Sequence, residues 1–179
     1  ADVISFPNDQ LKTLVDAGAL YEVTRNKDAI IAANQPGAID AATLGDELYA
    51  YPVSGDNGYF LYYDASVLTE EDAKSLDGIL AACAKAGKKF AFDVSNGWYI
   101  VSFFFGAGCS LKLAEDGAQI CDFNSENGLK AAEAIKALVE NEAFLGNADN
   151  NIISGGMGDN IAAAVTGTWM KDSMIDKLG

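Results

Sequence analysis

Lys88-Lys89-Phe90-Ala91-Phe92-Asp93-Val94-Ser95-Asn96-Gly97-Trp98 is the stretch that decides the fold. Its first half is a short apolar run rich in aromatic side chains, bounded by two lysines and an aspartate, which is the composition of a buried strand. Ser95 or Asn96 then offers an oxygen to cap a helix. That helix carries Trp98, Ile100, Val101, Phe103, Phe104 and Phe105, so it is apolar nearly all round and is expected to be buried up to Gly106-Ala107-Gly108. The same grammar returns near the end of the chain, where Ile161-Ala162-Ala163-Ala164-Val165-Thr166 reads as a strand and Trp169 follows it. These are the only two tryptophans. An open α/β sheet holds ligands beyond the carboxyl ends of its strands, so both indoles are expected to face one crevice.

Outward from these two strands, helix and strand patterns alternate, the signature of a layered α/β domain with a mixed sheet. Tyr59-Phe60-Leu61-Tyr62-Tyr63 reads as a strand, Thr69 as a cap for Glu70-Glu71-Asp72, and Leu76 to Ala86 as a helix stopped by Gly87. Ser125 opens an amphipathic helix expected to bury Leu129, Ala132, Ile135, Leu138 and Val139, with Glu126 and Lys130 paired outside. Asn150 to Asn160 reads as a glycine-rich connection, and Lys171 to Leu178 as a short terminal helix. Toward the other end, Asp2-Val3-Ile4-Ser5-Phe6 reads as a buried strand, and a short helix with Leu11, Leu14 and Val15 runs to Gly18. Leu20 to Asp46 reads as an irregular surface stretch with a helix near Asp28 to Ala33, and Leu48 to Val53 as an extended run broken by Ser54-Gly55-Asp56-Asn57-Gly58. The chain begins at a strand and stops after a short helix, as a piece of a larger protein does.

The formal net charge is −14, from 26 acidic and 12 basic residues. Nucleic acid and anionic membrane surfaces are therefore excluded as expected partners, because the dominant electrostatic term is repulsive. No apolar run is long enough to span a bilayer. Histidine is absent, which removes the commonest general base and metal ligand, and with them hydrolytic triads and histidine-bearing zinc sites. The three cysteines are widely and irregularly spaced; no metal or cofactor is expected. Cys83 reads as a buried thiol, whereas Cys109 and Cys121 flank two short strands around an Asp-Gly turn and are candidates for a cross-hairpin disulfide. Gly155-Gly156-Met157-Gly158 superficially suggests a phosphate loop, but no Lys-Ser or Lys-Thr follows.

An indole packs well on the apolar C–H face of a pyranose, whose hydroxyls need carboxylates and amides nearby. Trp98 and Trp169 are the candidate platforms, and Asp93, Asn96, Tyr99 and Thr168 the candidate polar partners. Asp56 and Asn57 form a further polar pair in a glycine-flanked break. Other readings of the same aromatic groove are a solute such as a polyamine, a glycosidase with a carboxylate pair, or a protein-docking module.

Four blocks carry a family resemblance: Asp2-Val3-Ile4-Ser5-Phe6-Pro7-Asn8-Asp9, Leu48-Tyr49-Ala50-Tyr51-Pro52-Val53, Tyr63-Asp64-Ala65-Ser66-Val67-Leu68 and Ala164-Val165-Thr166-Gly167-Thr168-Trp169. In order and spacing they resemble landmarks of the maltose/maltodextrin-binding proteins, extracellular solute-binding proteins that deliver sugars to ABC importers. The resemblance implies a periplasmic-binding-protein-like, type II α/β fold, with residues 1–52 a partial first lobe, 53–63 a crossing segment and 64–179 most of the second lobe. It implies an oligosaccharide held in an aromatic-walled cleft between lobes, ABC permease subunits as partners, and a cell-envelope location with any membrane attachment through a lipid anchor. Position by position, it makes Phe6 an aromatic wall, Asp9 a hydroxyl-binding acid, Asp56 or Asn57 a crossing-strand sugar contact, Asn96-Gly97-Trp98-Tyr99 the turn that stacks the sugar, and Trp169 the second stacking aromatic. Phe6 stands where maltose binders carry tryptophan, Gln10 where they carry arginine and Asn96 where they carry an acid, differences that bear on which sugar is bound.

Overall fold

In the computed structural model, which describes residues 2–55, 57–114 and 116–179, the chain divides into two units, Ala1–Asn57 and Gly58–Gly179. Asp56, one of the residues singled out above, lies outside the described residues.

The first unit corrects part of the sequence reading. Residues 2–6 are not a strand: they are extended coil with Val3 and Ile4 exposed, and no ladder within the described residues pairs with them, so an apolar run has no neighbour to make it a strand. A 3-10 turn at Asn8–Gln10 leads into α1 (Leu11–Asp16), which ends at Gly18 in the left-handed region, φ +66°. The expected helix near Asp28 is α2 (Lys27–Ala33). A further helix, α3 (Pro36–Ala41), falls inside the stretch expected to be irregular; proline at the first helical position costs no hydrogen bond and supplies the required φ. A small hairpin, β1 (Thr43–Leu44) and β2 (Glu47–Leu48), turns at Gly45. The extended run beyond Leu48 forms no strand, and Tyr51 and Val53 are exposed. Val23, Ala42 and Leu48 are the buried centre of this unit.

The second unit is built on a mixed four-stranded sheet. Its strands are β3 (Tyr59–Tyr63), β4 (Lys89–Phe92), β7 (Phe144–Gly146) and β8 (Ile161–Gly167); a separate hairpin is formed by β5 (Leu111–Leu113) and β6 (Gln119–Cys121). The order across the sheet is β3-β8-β4-β7, with β3 antiparallel to β8 and the other pairs parallel. Residue alternation assigns Phe90 and Phe92 to one face and Ala91 to the other. On the first face pack α4 (Leu76–Lys85), α5 (Gly97–Gly106) and α6 (Glu126–Val139), through Ile79, Leu80, Cys83, Tyr99 and Leu138. On the second pack α7 (Asn150–Gly156) and α8 (Lys171–Leu178), through Ile153, Met157 and Met174. The alanines of β8 are wholly buried, and their small side chains allow helices to approach both faces closely. A register shift at Lys89/Phe90 places Ala162 and Ala163 in the same core cluster.

Four expectations for this unit are corrected. The stretch from Asn150 is α7 rather than a loop, because Asp149 caps it and Ile153 and Met157 bury one turn apart, outweighing the low helix propensity of Gly155 and Gly156. A Cβ on Gly156 would lie 2.4 Å from Asn160 Oδ1 and 2.8 Å from Ile161 Cδ1, so glycine is what lets α7 run this close to β8. Helix α6 is rotated from the expected face: Gly128, Ala131 and Leu138 are buried, whereas Leu129 and Val139 are exposed, and Lys130 donates to Asn127 Oδ1. Its close contact is set by Gly128, where a Cβ would overlap the Phe123 carbonyl. Helix α5 is not buried all round; Tyr99 alone among its residues is buried, and Trp98 and Phe105 are about half exposed.

The fourth concerns the cysteines. Cys109 and Cys121 are free thiols, Cys109 buried and Cys121 exposed. The ladder pairs Cys121 with Leu111, so Cys109 lies beyond the strand end, where its Sγ is 4.0 Å from Ser125 Oγ. Among the described residues no helix is long and apolar enough to cross a membrane.

Candidate functional site

The parallel strands β4, β8 and β7 are neighbours, so their carboxyl ends emerge side by side. Each leads into side chains that line one cavity of about 310 Å³: Asp93, Asn96, Trp98 and Tyr99 after β4; Ala148, Asp149, Asn150 and Ile153 after β7; Val165, Thr166 and Trp169 at the end of β8. This is the position at which open α/β sheets hold ligands.

The indoles are held by different means. Trp98 sits in the first turn of α5, where Asn96 Oδ1 accepts a hydrogen bond from Trp98 N at 2.9 Å, an N-cap that fixes the helix start. The Trp98 ring meets Tyr59 edge to face, with centroids 6.0 Å apart, and Tyr59 in turn packs on Tyr99 at 5.2 Å. Trp169 lies in a 3-10 turn after β8 and its ring covers Gly167: a Cβ there would lie 2.2 Å from two of its ring carbons. Both rings keep about half their surface in solvent, 52% for Trp98 and 48% for Trp169. A cavity flanked by two half-exposed indoles is an aromatic-walled recess rather than core.

Its polar groups are each held at one atom. Asp93 Oδ1 accepts from the Ser95 backbone N–H at 3.1 Å and from its hydroxyl at 2.6 Å. Asp149 Oδ1 accepts from Ile152 N at 2.8 Å as the cap of α7. Thr166, 1% exposed, donates its hydroxyl to Asn150 Oδ1 at 3.0 Å. Tyr99 is 8% exposed, and burial raises its phenol pKa above the ordinary value, with a smaller opposing contribution from Thr166. The groups left over are acceptor oxygens on the aspartates and amide donors on the asparagines, which is the inventory that a hydroxyl-rich ligand requires. Among the described residues, no lysine or arginine lines the cavity. Among the described residues no group of metal-ligating side chains clusters.

Of the residues singled out from sequence, Asp93, Asn96, Trp98, Tyr99 and Trp169 come together here. Tyr99 contributes mainly as buried support. Thr168 is not among the lining residues; its backbone N–H donates to Gly58 O. Phe6, Asp9 and Asn57 belong to the first unit, Phe6 partly buried and the other two exposed. The first unit has its own concavity of about 470 Å³, whose described lining, including Asn34, Gln35 and Pro52, is neither aromatic nor ionisable. Sequence reasoning missed Asp149 and Asn150. The signal was present, since Asp149-Asn150-Asn151-Ile152-Ile153 is an N-cap before an apolar pair, but the glycines that follow pointed to a loop.

A family model described as bacterial extracellular solute-binding protein matches residues 1–177. No match was found among curated proteins. Among solved structures, one whose title reads "with acarbose" superposes with a TM-score of 0.80 at 27% identity, over 97% of this chain and 45% of the other. The maltodextrin binding protein MalE1 from L. casei BL23, without ligand, gives a TM-score of 0.73 at 26% identity, over 96% of this chain and 44% of the other. The chain thus spans less than half the length of these structures, and its mixed α/β architecture is that of solute-binding proteins. With nearly every residue matched by one family model, the chain belongs to the bacterial extracellular solute-binding protein family.

Proposed function

We propose that the cavity of the second unit binds an oligosaccharide of the maltodextrin type, with Trp98 and Trp169 as stacking platforms and Asp93, Asn96, Asp149 and Asn150 as hydroxyl partners. The observation that carries this reading is the pair of half-exposed indoles on one recess that also holds carboxylates and amides. The similar proteins support it, one being named as a maltodextrin binder and another being titled with acarbose. Phe6, Asp9 and Asn57 are proposed as ligand contacts supplied by the first unit. Residues 1–52 and 64–179 are proposed as parts of two lobes with 53–63 as the crossing segment. The role proposed for the intact protein is delivery of the sugar to the permease subunits of an ABC importer at the cell envelope, without catalysis.

Calorimetry with maltotriose on the intact protein tests the reading. Truncating a stacked aromatic anchor costs about 2 kcal/mol or more, so Trp98→Ala and Trp169→Ala are each expected to weaken binding by about thirtyfold. Unchanged affinity in both variants removes the saccharide assignment, and tight binding of spermidine in place of maltotriose replaces it with a polyamine.

A further inference from the structure

The conformation of Asn150 is decided by a nearly solvent-free neighbour at the cavity wall. β8 is apolar along its buried length until Thr166, whose hydroxyl is sealed from solvent and donates to Asn150 Oδ1. Asn150 is the first residue of α7, yet it is not the cap; Asp149 fills that role through Ile152 N. Its side chain is therefore not required to start the helix. What fixes it is the hydroxyl of the inner strand β8.

An amide has two chemically different ends. With Oδ1 engaged by an O–H donor, the end left for the cavity is Nδ2, which only donates. The adjoining carboxylates, Asp93 and Asp149, each have one oxygen bound by the protein and offer the ligand acceptors. A sugar hydroxyl both donates and accepts, so a recess of carboxylates alone leaves its lone pairs unmatched. We propose that Thr166 is a positioning residue, which through its buried hydrogen bond orients Asn150 so that Nδ2 is presented as a donor to an oxygen of the bound saccharide. The donor end of Asn150 selects for ligands with hydroxyl, ring or glycosidic oxygens at that point. This inference rests on the saccharide reading above.

The test is calorimetry of the intact protein with maltotriose. Asn150→Asp keeps an acceptor for Thr166 and replaces the donor by a second carboxylate oxygen; it is expected to weaken binding about tenfold or more. Thr166→Val has nearly the same shape but lacks the hydroxyl and is expected to weaken binding about threefold to tenfold. Thr166→Ser restores the hydroxyl and is expected to restore affinity, which a purely steric role of the threonine would not produce. Thr166→Val adds little to Asn150→Ala, because both remove one arrangement. In heteronuclear spectra, the Asn150 side-chain amide protons shift on addition of maltotriose. Should Asn150→Asp bind within twofold of the parent while Trp98→Ala is impaired, the amide presents its other end and the inference falls while the saccharide reading stands. Should Trp98→Ala, Trp169→Ala and Asn150→Asp all bind unchanged, or the parent not bind at all, the saccharide reading falls and takes this inference with it. Poor folding of Thr166→Val leaves the Asn150→Asp and Thr166→Ser measurements to decide.

Discussion

The two indole sites reach the same cavity by opposite routes. Trp98 is held by added contacts, an N-cap beneath it and the edge of Tyr59 beside it. Trp169 is held by a missing atom, since its ring occupies the space that a side chain on Gly167 would fill. The difference teaches that one platform degrades gradually as its supports are removed, and the other fails on the addition of a single methyl group.

The largest effect is therefore expected at Gly167. The backbone there is ordinary, φ −83° and ψ 168°, so Gly167→Ala brings no backbone strain and acts through the clash alone. A half-exposed ring is free to swing outward, so affinity for maltotriose is expected to fall about as far as in Trp169→Ala, by about thirtyfold, while stability falls by only about 1 kcal/mol. The double variant is expected to be no worse than Trp169→Ala. Additive losses in calorimetry would mean that Gly167 acts other than through this ring.

At the other platform, Asn96→Ala removes the cap of α5 and is expected to cost about 1 kcal/mol in urea unfolding, with a smaller loss of sugar affinity. Tyr59→Leu keeps apolar bulk beside Trp98 but loses the edge-to-face contact, worth about 0.5–1.5 kcal/mol, and is expected to weaken binding severalfold. If Tyr59→Leu cost more than Gly167→Ala, the ranking of the two supports would be reversed.

The smallest effect tests the strand that carries Tyr59. Asp64, just past β3, donates its backbone N–H to Ala162 O and accepts from Ser66 and from Lys88 Nζ at 3.4 Å. The Ser66 hydroxyl chiefly, and more weakly Lys88, hold its carboxyl below the ordinary value. A carboxyl depressed in the folded state stabilises above its unfolded pKa of about 3.9, and that stability is lost as pH falls through the lower folded value. Asp64→Asn is expected to lower the melting temperature at pH 7 by about 2–4 °C and to leave less difference from the parent below pH 3. An equal difference at both pH values would exclude the ionised carboxylate as its source.

Legibility in the sequence followed the range of the interaction. The helices α4 and α8 and the caps at Ser95–Asn96 and Ser125 rest on neighbours a few residues apart, and the strands β3, β4 and β8 are marked by their apolar composition. Their residue types state the outcome directly. Residues 2–6 failed as a strand because apolar alternation does not supply a pairing partner. The face of α6 was misjudged because large side chains were expected inside, whereas Gly128 and Ala131 give the close approach and leave Leu129 60% exposed. The third contributor to the cavity was missed because α7 is a helix by virtue of what it packs on, not of its glycine-rich composition.

The sequence by itself determined that a tryptophan follows each of two strands, that a capping serine or asparagine precedes one of them, and that the absence of histidine removes the commonest acid–base chemistry. Only the tertiary structure decided that β4 and β8 are parallel neighbours, so that both indoles emerge on one edge, and that β7 brings Asp149 and Asn150 beside them. Local propensity fixes what a segment can be. Which strands lie side by side depends on hydrogen bonds and buried area between residues distant in sequence, which no window along the chain contains.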